Sequence, residues 1–181
     1  VQTAHGSCVL RARLSADVPA GTIFAPMHWS LANSSAANIG SLVHKLCDPV
    51  SGQPGLKGTP ARIQTCPAQH FGFVLSRDRL FAIEQDARLA YWSRANIENG
   101  YAYSLALDAA FEDVRDYALT LASGDPIILD DPARGRFRAS VLAGDRVERM
   151  VSFSGSASEA ASAWMKASLT RRIATPASRR T

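Results

Sequence analysis

Apolar and polar positions alternate in short runs over the first third of the chain and in longer, better-bounded runs beyond it. Within residues 6–14, alternation from Val9 onward predicts a half-buried strand, with Arg11 and Arg13 on the face opposite Leu10, Ala12 and Leu14. Asp17 to Gly21 reads as a turn, and Thr22 to Pro26 as a short β-rich run. Met27-His28-Trp29-Ser30 then falls in a loop at its end. Asn33, Ser34 and Ser35 are N-cap candidates for a helix of about three turns from Ala36 to Leu46, whose Ile39, Leu42, Val43 and Leu46 share one face. Ala61 to Cys66 reads as another strand.

After Pro67 the pattern predicts a strand at Phe71–Leu75, a helix over Gln85–Arg94 with Leu89 and Trp92 on its apolar side, and a strand at Tyr101–Leu107. A helix follows over Ala109–Leu121, where Phe111, Val114, Ala118 and Leu121 recur at spacings of three and four, capped near Asp108 and ended by Gly124-Asp125-Pro126. Strands are predicted at Ile127–Leu129, Arg136–Leu142 and Arg146–Phe153, the last two joined by a tight hairpin at Ala143-Gly144-Asp145. A final amphipathic helix over Ser156–Leu169 contains Trp164.

Between the two regions lies Asp48 to Ile63, where Pro49, Pro54 and Pro60 fix the backbone and Gly52, Gly55 and Gly58 free it. That composition predicts an ordered loop with a specified path. Glycine lets backbone N–H groups approach a ligand, and Lys57 adds a positive charge, which suits a phosphate or a nucleobase edge. The plain alternative is a surface connection that binds nothing.

At 181 residues, 46% of them hydrophobic, the chain can build one domain or two small ones. No run approaches the length of a membrane span. Cys8, Cys47 and Cys66 are too few and too far apart for a disulfide framework, and reduced thiols predict a cytoplasmic protein. The net charge of +4 is uneven. Residues 1–70 carry 5 Lys/Arg against 2 Asp/Glu, residues 71–160 carry 10 against 14, and residues 161–181 carry 5 against none. The basic first segment fits an anionic ligand. The basic tail lacks the interleaved aromatics or groove-reading motif of a nucleic-acid binder, so no nucleic-acid partner and no membrane partner is expected.

Three blocks in order, Gly21 to Ser30 (Gly-Thr-Ile-Phe-Ala-Pro-Met-His-Trp-Ser), Ala37 to Val43 (Ala-Asn-Ile-Gly-Ser-Leu-Val) and the Asp48–Ile63 loop, closely resemble the C-terminal molybdopterin dinucleotide-binding domain of bacterial assimilatory nitrate reductases, within the molybdopterin oxidoreductases. The resemblance is strong over the first third of the chain and looser beyond, where Asp131 to Arg138 and the following hairpin resemble the segment after that domain. It implies that residues 1–68 are part of a double-psi β-barrel; with the alternating strand and helix pattern beyond, the chain is expected to be α+β, the barrel part followed by a small α+β domain with a mainly antiparallel sheet (69–169) and a basic tail or linker (170–181). It also implies that the chain is the C-terminal piece of a larger enzyme, since the barrel's opening strands lie upstream in the family; the absence of an initiator methionine fits that expectation. A [2Fe-2S] module that follows in some members is absent here or cut away.

By the same resemblance the whole enzyme carries bis-molybdopterin guanine dinucleotide with molybdenum, and an iron-sulfur cluster elsewhere. It reduces nitrate to nitrite in nitrate assimilation, with a reductase or ferredoxin as electron donor and the remaining domains of the same enzyme as partners. Relatives with similar cofactor domains act on formate, sulfur or arsenic compounds. The positions matching the family's cofactor contacts are His28, Trp29, Ser51, Gln53, Pro54 and Lys57. An aromatic ring offers a stacking face, an amide reads a guanine edge, and lysine balances pyrophosphate charge. Each has a plainer alternative as a packed or solvated loop residue. Many relatives place Asn immediately ahead of the helix's apolar pair, where this chain has Gly40; Asn38 is the candidate substitute.

No catalytic residue is identified in the chain, because no nucleophile and base fall at informative spacing. The spacing of His5, His28, His44 and His70 shows no metal site. The alternative function is a non-catalytic interaction module, with the acidic residues 71–160 docking an electron-transfer partner.

Overall fold

A computed structural model describes residues 1–157, 165, 168 and 169. The chain forms two compact units, residues 1–66 and 67–181.

The second unit carries the sheet. In chain order its elements are β3 (His70–Ser76), a one-turn helix α1 (Phe81–Glu84), β4 (Leu89–Ile97), β5 (Gly100–Leu107), α2 (Phe111–Ala122), β6 (Ile127–Asp131), β7 (Arg136–Ala143) and β8 (Arg146–Ser154). Six strands form one antiparallel sheet in the order β4-β5-β3-β8-β7-β6. The architecture is α+β with an antiparallel sheet, as the pattern predicts. Helix α2 lies on one face, where Val114, Tyr117, Ala118 and Leu121 meet Val74, Tyr103, Phe137, Val151 and Phe153. The spacing of those helical residues sets that apolar stripe, and strand alternation supplies the opposing one. The other face gathers Phe73, Leu75, Ala102, Met150, Met165 and Leu169. The predicted Ser156–Leu169 helix, with Trp164, and the tail 170–181 lie otherwise outside the described residues.

One prediction in this unit is overturned. Gln85–Arg94 is not a helix; Leu89–Ile97 is strand β4, paired along its length with β5 and bulged between Leu89 and Tyr91. Leu89 and Trp92 mimic a helical spacing of three, but Tyr91, Trp92 and Ser93 are consecutively buried, as a strand covered on both sides requires. The Asn99-Gly100 pair after it carries the hairpin signal. Asn99 adopts φ of 62°, and a Cβ at Gly100 would lie 2.3 Å from the Ser76 carbonyl oxygen.

The first unit is loop-rich. Its regular structure among the described residues is a two-residue ribbon, β1 (Gln2–Thr3) against β2 (Gly6–Ser7), and one 3-10 turn at Ile39–Ser41. The strands predicted over 9–14, 22–26 and 61–66 do not form, and the Ala36–Leu46 helix shrinks to that single turn. Val9 N donates to Ala36 O, but no strand ladder continues, and Leu14 is fully exposed. Alternation gives a strand only where a second strand takes up its backbone groups. Arg62 makes a lone bridge with Gln2. Asn38, Gly40 and Ser41 are poor helix formers, and a single turn gains too little to offset nucleation. The expected N-cap residue Asn33 instead accepts from Ser30 N at 3.2 Å. A small core of Cys8, Ile39 and Leu42 holds the unit, with Val1, Leu10, Ala25 and Trp29 packed on it.

Candidate functional site

The Gly/Pro loop is ordered by one carboxylate. Asp48 accepts from Val50 N at 3.0 Å, Ser51 N at 2.7 Å and Ser51 Oγ at 2.9 Å. Those donors hold the Asp48 carboxyl below its usual range, the Ser51 backbone bond contributing most. Asp48 N donates to Gln53 O and Gly52 N to Asp48 O, while Gly55 N donates to Leu46 O. The chain thereby doubles back, with Cys47 bridged to Pro54.

This geometry corrects one sequence expectation. The N–H groups of residues 50, 51, 52, 53 and 55 are all engaged within the loop, since Gln53 N also donates to Ser51 Oγ. They do not form an anion cradle; the Asp48 carboxylate occupies the place an anion would take. Over residues 50–55 the groups left available are side chains.

The candidate residues separate into groups. Ser51, Gln53 and Pro54 line a shallow open depression of ≈ 490 Å³ together with Leu46, Cys47, Asp48 and Gly55. The Ser51 hydroxyl is committed to Asp48, which makes Ser51 a loop organiser, whereas Gln53 is exposed. Lys57 is exposed further along the loop and does not line the depression. Trp29 and Asn38 are brought together by the bond from Ile39 N to Trp29 O at 3.4 Å. Trp29 is half-buried against the Cys8–Ile39–Leu42 core, so part of its ring serves packing. His28 and Asn38 are exposed.

A pair that sequence spacing does not reveal also stands in this unit. His5 Nε2 and His44 Nδ1 lie 2.9 Å apart, with the rings edge to face at 74°. They are 39 residues apart in sequence, and only the packing of the β1–β2 turn on Leu42 brings them together. Cys8, beneath the same turn, has its thiol pushed up by burial, an effect partly opposed by the amino terminus.

Among the described residues no group of three or more His, Cys, Asp or Glu gathers as a metal site, and no helix is long and apolar enough to cross a membrane. No disulfide joins Cys8, Cys47 and Cys66.

Residues 1–60 match the family model described as the molydopterin dinucleotide binding domain. The assimilatory nitrate reductase catalytic subunit of Bacillus subtilis is 32% identical over 63 residues, 35% of this chain and 8% of that protein. A nitrate reductase of Synechocystis sp. is 36% identical over 59 residues, 33% of this chain and 8% of that protein. The chain thus covers a small part of the length of either relative, and no solved structure matches it. The match falls within the loop-rich first unit: residues 1–60 are similar to the molydopterin dinucleotide binding domain, and about a third of the chain is similar to nitrate reductases.

Proposed function

We propose that the first unit binds the guanine dinucleotide end of a molybdopterin cofactor within a molybdenum oxidoreductase that reduces nitrate to nitrite. The observation that carries this reading is the family match over residues 1–60, whose last block is the loop ordered by Asp48. When bound, the cofactor supplies the redox chemistry; this chain's residues position it. The side chains present suit the group. Gln53 offers an exposed amide to a guanine edge, and Lys57 an ammonium to a phosphate oxygen. Trp29, His28 and Asn38 offer rings and an amide to the remaining part. The excess of Lys/Arg over Asp/Glu in the segment favours an anionic ligand. Large apolar side chains exposed on the same unit, Phe24 at 75%, Val50 at 95% and Ile63 at 67%, support its incorporation into a larger double-psi barrel.

Metal and nucleotide analysis of the polypeptide in its natural form tests the reading. Molybdenum with about two guanine nucleotides per metal is the expected result. A polypeptide carrying neither overturns it.

A second reading, the interaction module, is favoured by strand β6. It is an edge of the sheet, and Ile127, Ile128 and Leu129 are 65%, 47% and 55% exposed. We propose that an electron-transfer partner pairs with this edge, where the exposed Asp125 meets a basic surface while Asp130 and Asp131 stay paired with Arg115 and Arg134. Binding of ferredoxin or a reductase that weakens with salt and is lost in Ile128→Lys is the expected result; no complex at low ionic strength rules it out.

A further inference from the structure

We propose that His5 and His44 form a two-histidine site for a late divalent transition-metal cation, Cu²⁺ foremost. The inference stands on the first unit alone and does not rest on the cofactor reading. Two ring nitrogens bound to one ion at about 2.0–2.1 Å and at right angles lie about 2.9 Å apart, whereas tetrahedral ligands lie about 3.3 Å apart. The observed 2.9 Å is the length of a hydrogen bond between the two rings, and it also equals the spacing of adjacent ligands in square or tetragonal coordination, the geometry of Cu²⁺ and Ni²⁺.

The backbone holds both rings at that spacing. Thr3 Oγ1 donates to Leu42 O at 2.9 Å and accepts from His5 N at 3.1 Å, fixing the His5 turn to the segment that leads into His44. A Cβ at Gly6 would lie 3.3 Å from Ser41 O, so the turn sits close against that segment. On the other side His44 N donates to Thr59 Oγ1 at 3.3 Å. The rings face each other through His5 Nε2 and His44 Nδ1, leaving His5 Nδ1 and His44 Nε2 outward. When the ion enters, the proton shared between the facing nitrogens moves to the outward nitrogen of its own ring. Both imidazoles stay neutral and each offers a lone pair. Water fills the remaining positions, because no third ligand gathers there among the described residues.

The occupied site would clip the amino-terminal ribbon to the entry of the Asp48 loop, which begins four residues after His44. The test is a titration of the full chain with Cu²⁺ alone, followed by electron paramagnetic resonance. One ion per chain with hyperfine splitting from two imidazole nitrogens is expected. His5→Gln and His44→Gln should each weaken binding by about tenfold or more, since losing a ligand costs at least as much as losing an outer-sphere partner. Cys47→Ser should leave it unchanged. A spectrum showing fewer than two nitrogens, or affinity retained in either histidine variant, overturns the site; the nitrogen count on the unaltered chain stands independently of how the variants fold.

Discussion

The Asp48 carboxylate accepts from both the backbone N–H and the hydroxyl of Ser51, at 2.7 and 2.9 Å, and Val50 N joins them at 3.0 Å. The arrangement is local, spanning three residues, so the loop keeps its shape without burial. Because these bonds favour the ionised carboxylate, the Asp48 value in the folded chain lies below its value in the unfolded chain. Their contribution is present above the ordinary aspartate range and disappears as pH falls through the lowered value. Asp48→Ala, or strong acid, should raise amide hydrogen exchange at Val50 and Ser51 several-fold at matched intrinsic rates. Asp48→Asn should retain part of the protection, since an amide oxygen still accepts. Exchange measured by NMR on the three chains checks this.

Glu84 is shared between two arginines of unlike burial. Arg79 grips it through two bonds at 2.9 and 2.6 Å from a side chain 39% exposed, and Arg94 meets it from a side chain 13% exposed. Tyr103 Oη accepts from Leu80 N and donates to Glu84, joining the network to the core. Glu84→Ala removes the carboxylate that the half-hidden Arg94 meets and should cost about 3 kcal/mol, while Arg79→Ala, at an exposed and solvent-screened pair, should cost clearly less. The bonds from Arg79 first, and Arg94 next, hold the Glu84 carboxyl below its usual range against the opposing effect of burial. The stabilisation is therefore complete above the ordinary glutamate range and lost as pH falls through the lowered value, so the difference between wild type and Glu84→Ala should narrow in acid. Urea titrations at a series of pH values check both the size and the trend.

These two networks mark what the sequence could and could not convey. Strands β3 and β5, helix α2 and the β7–β8 hairpin are legible because each carries its signal locally: alternation or a helical stripe bounded by turn residues. Strand β4 is misread because Leu89 and Trp92 fit a helix, although Asn99-Gly100 beside them points to a hairpin. In the first unit the alternation of Val9 to Leu14 has no partnering strand to make it real, while the Asp48 loop is legible as ordered from its prolines and glycines alone. Its engaged N–H groups are not, since an Asx-type turn depends on where one carboxylate points. The His5–His44 contact spans 39 residues and leaves no spacing to read.

Gly72 lies opposite Phe153 in the β3–β8 pairing, and a Cβ there would fall 2.4 Å from the ring. Phe153 is 1% exposed and also stacks edge to face on Tyr117 of α2, so it has nowhere to retreat. Gly72→Ala should therefore destabilise by about 1–3 kcal/mol despite the better strand propensity of alanine. Paired replacement with Phe153→Leu should recover part of the loss by vacating the ring's volume. A double-mutant cycle in chemical denaturation checks the coupling; strictly additive effects would show that the ring is not what the methyl group meets.

Helix α2 ends with no basic residue in its own last turn, and the cation comes from β8 instead. Arg149 Nη1 donates to Leu121 O at 2.8 Å, to Ala122 O at 3.4 Å and to Ser123 Oγ at 2.8 Å, while its Nε reaches Ser76 Oγ at 3.4 Å. One guanidinium thus satisfies carbonyls that a helix terminus leaves open and places positive charge at the negative end of the dipole. Arg149→Met keeps the apolar stem and removes both effects, at a cost of about 1–2 kcal/mol. Arg149→Lys should recover only part, because an ammonium supplies the charge but not the planar fork that reaches Ser76 and the helix end together. Denaturation midpoints ordered wild type, Lys, Met are the expected outcome. Equal midpoints for Lys and wild type would assign the effect to charge alone.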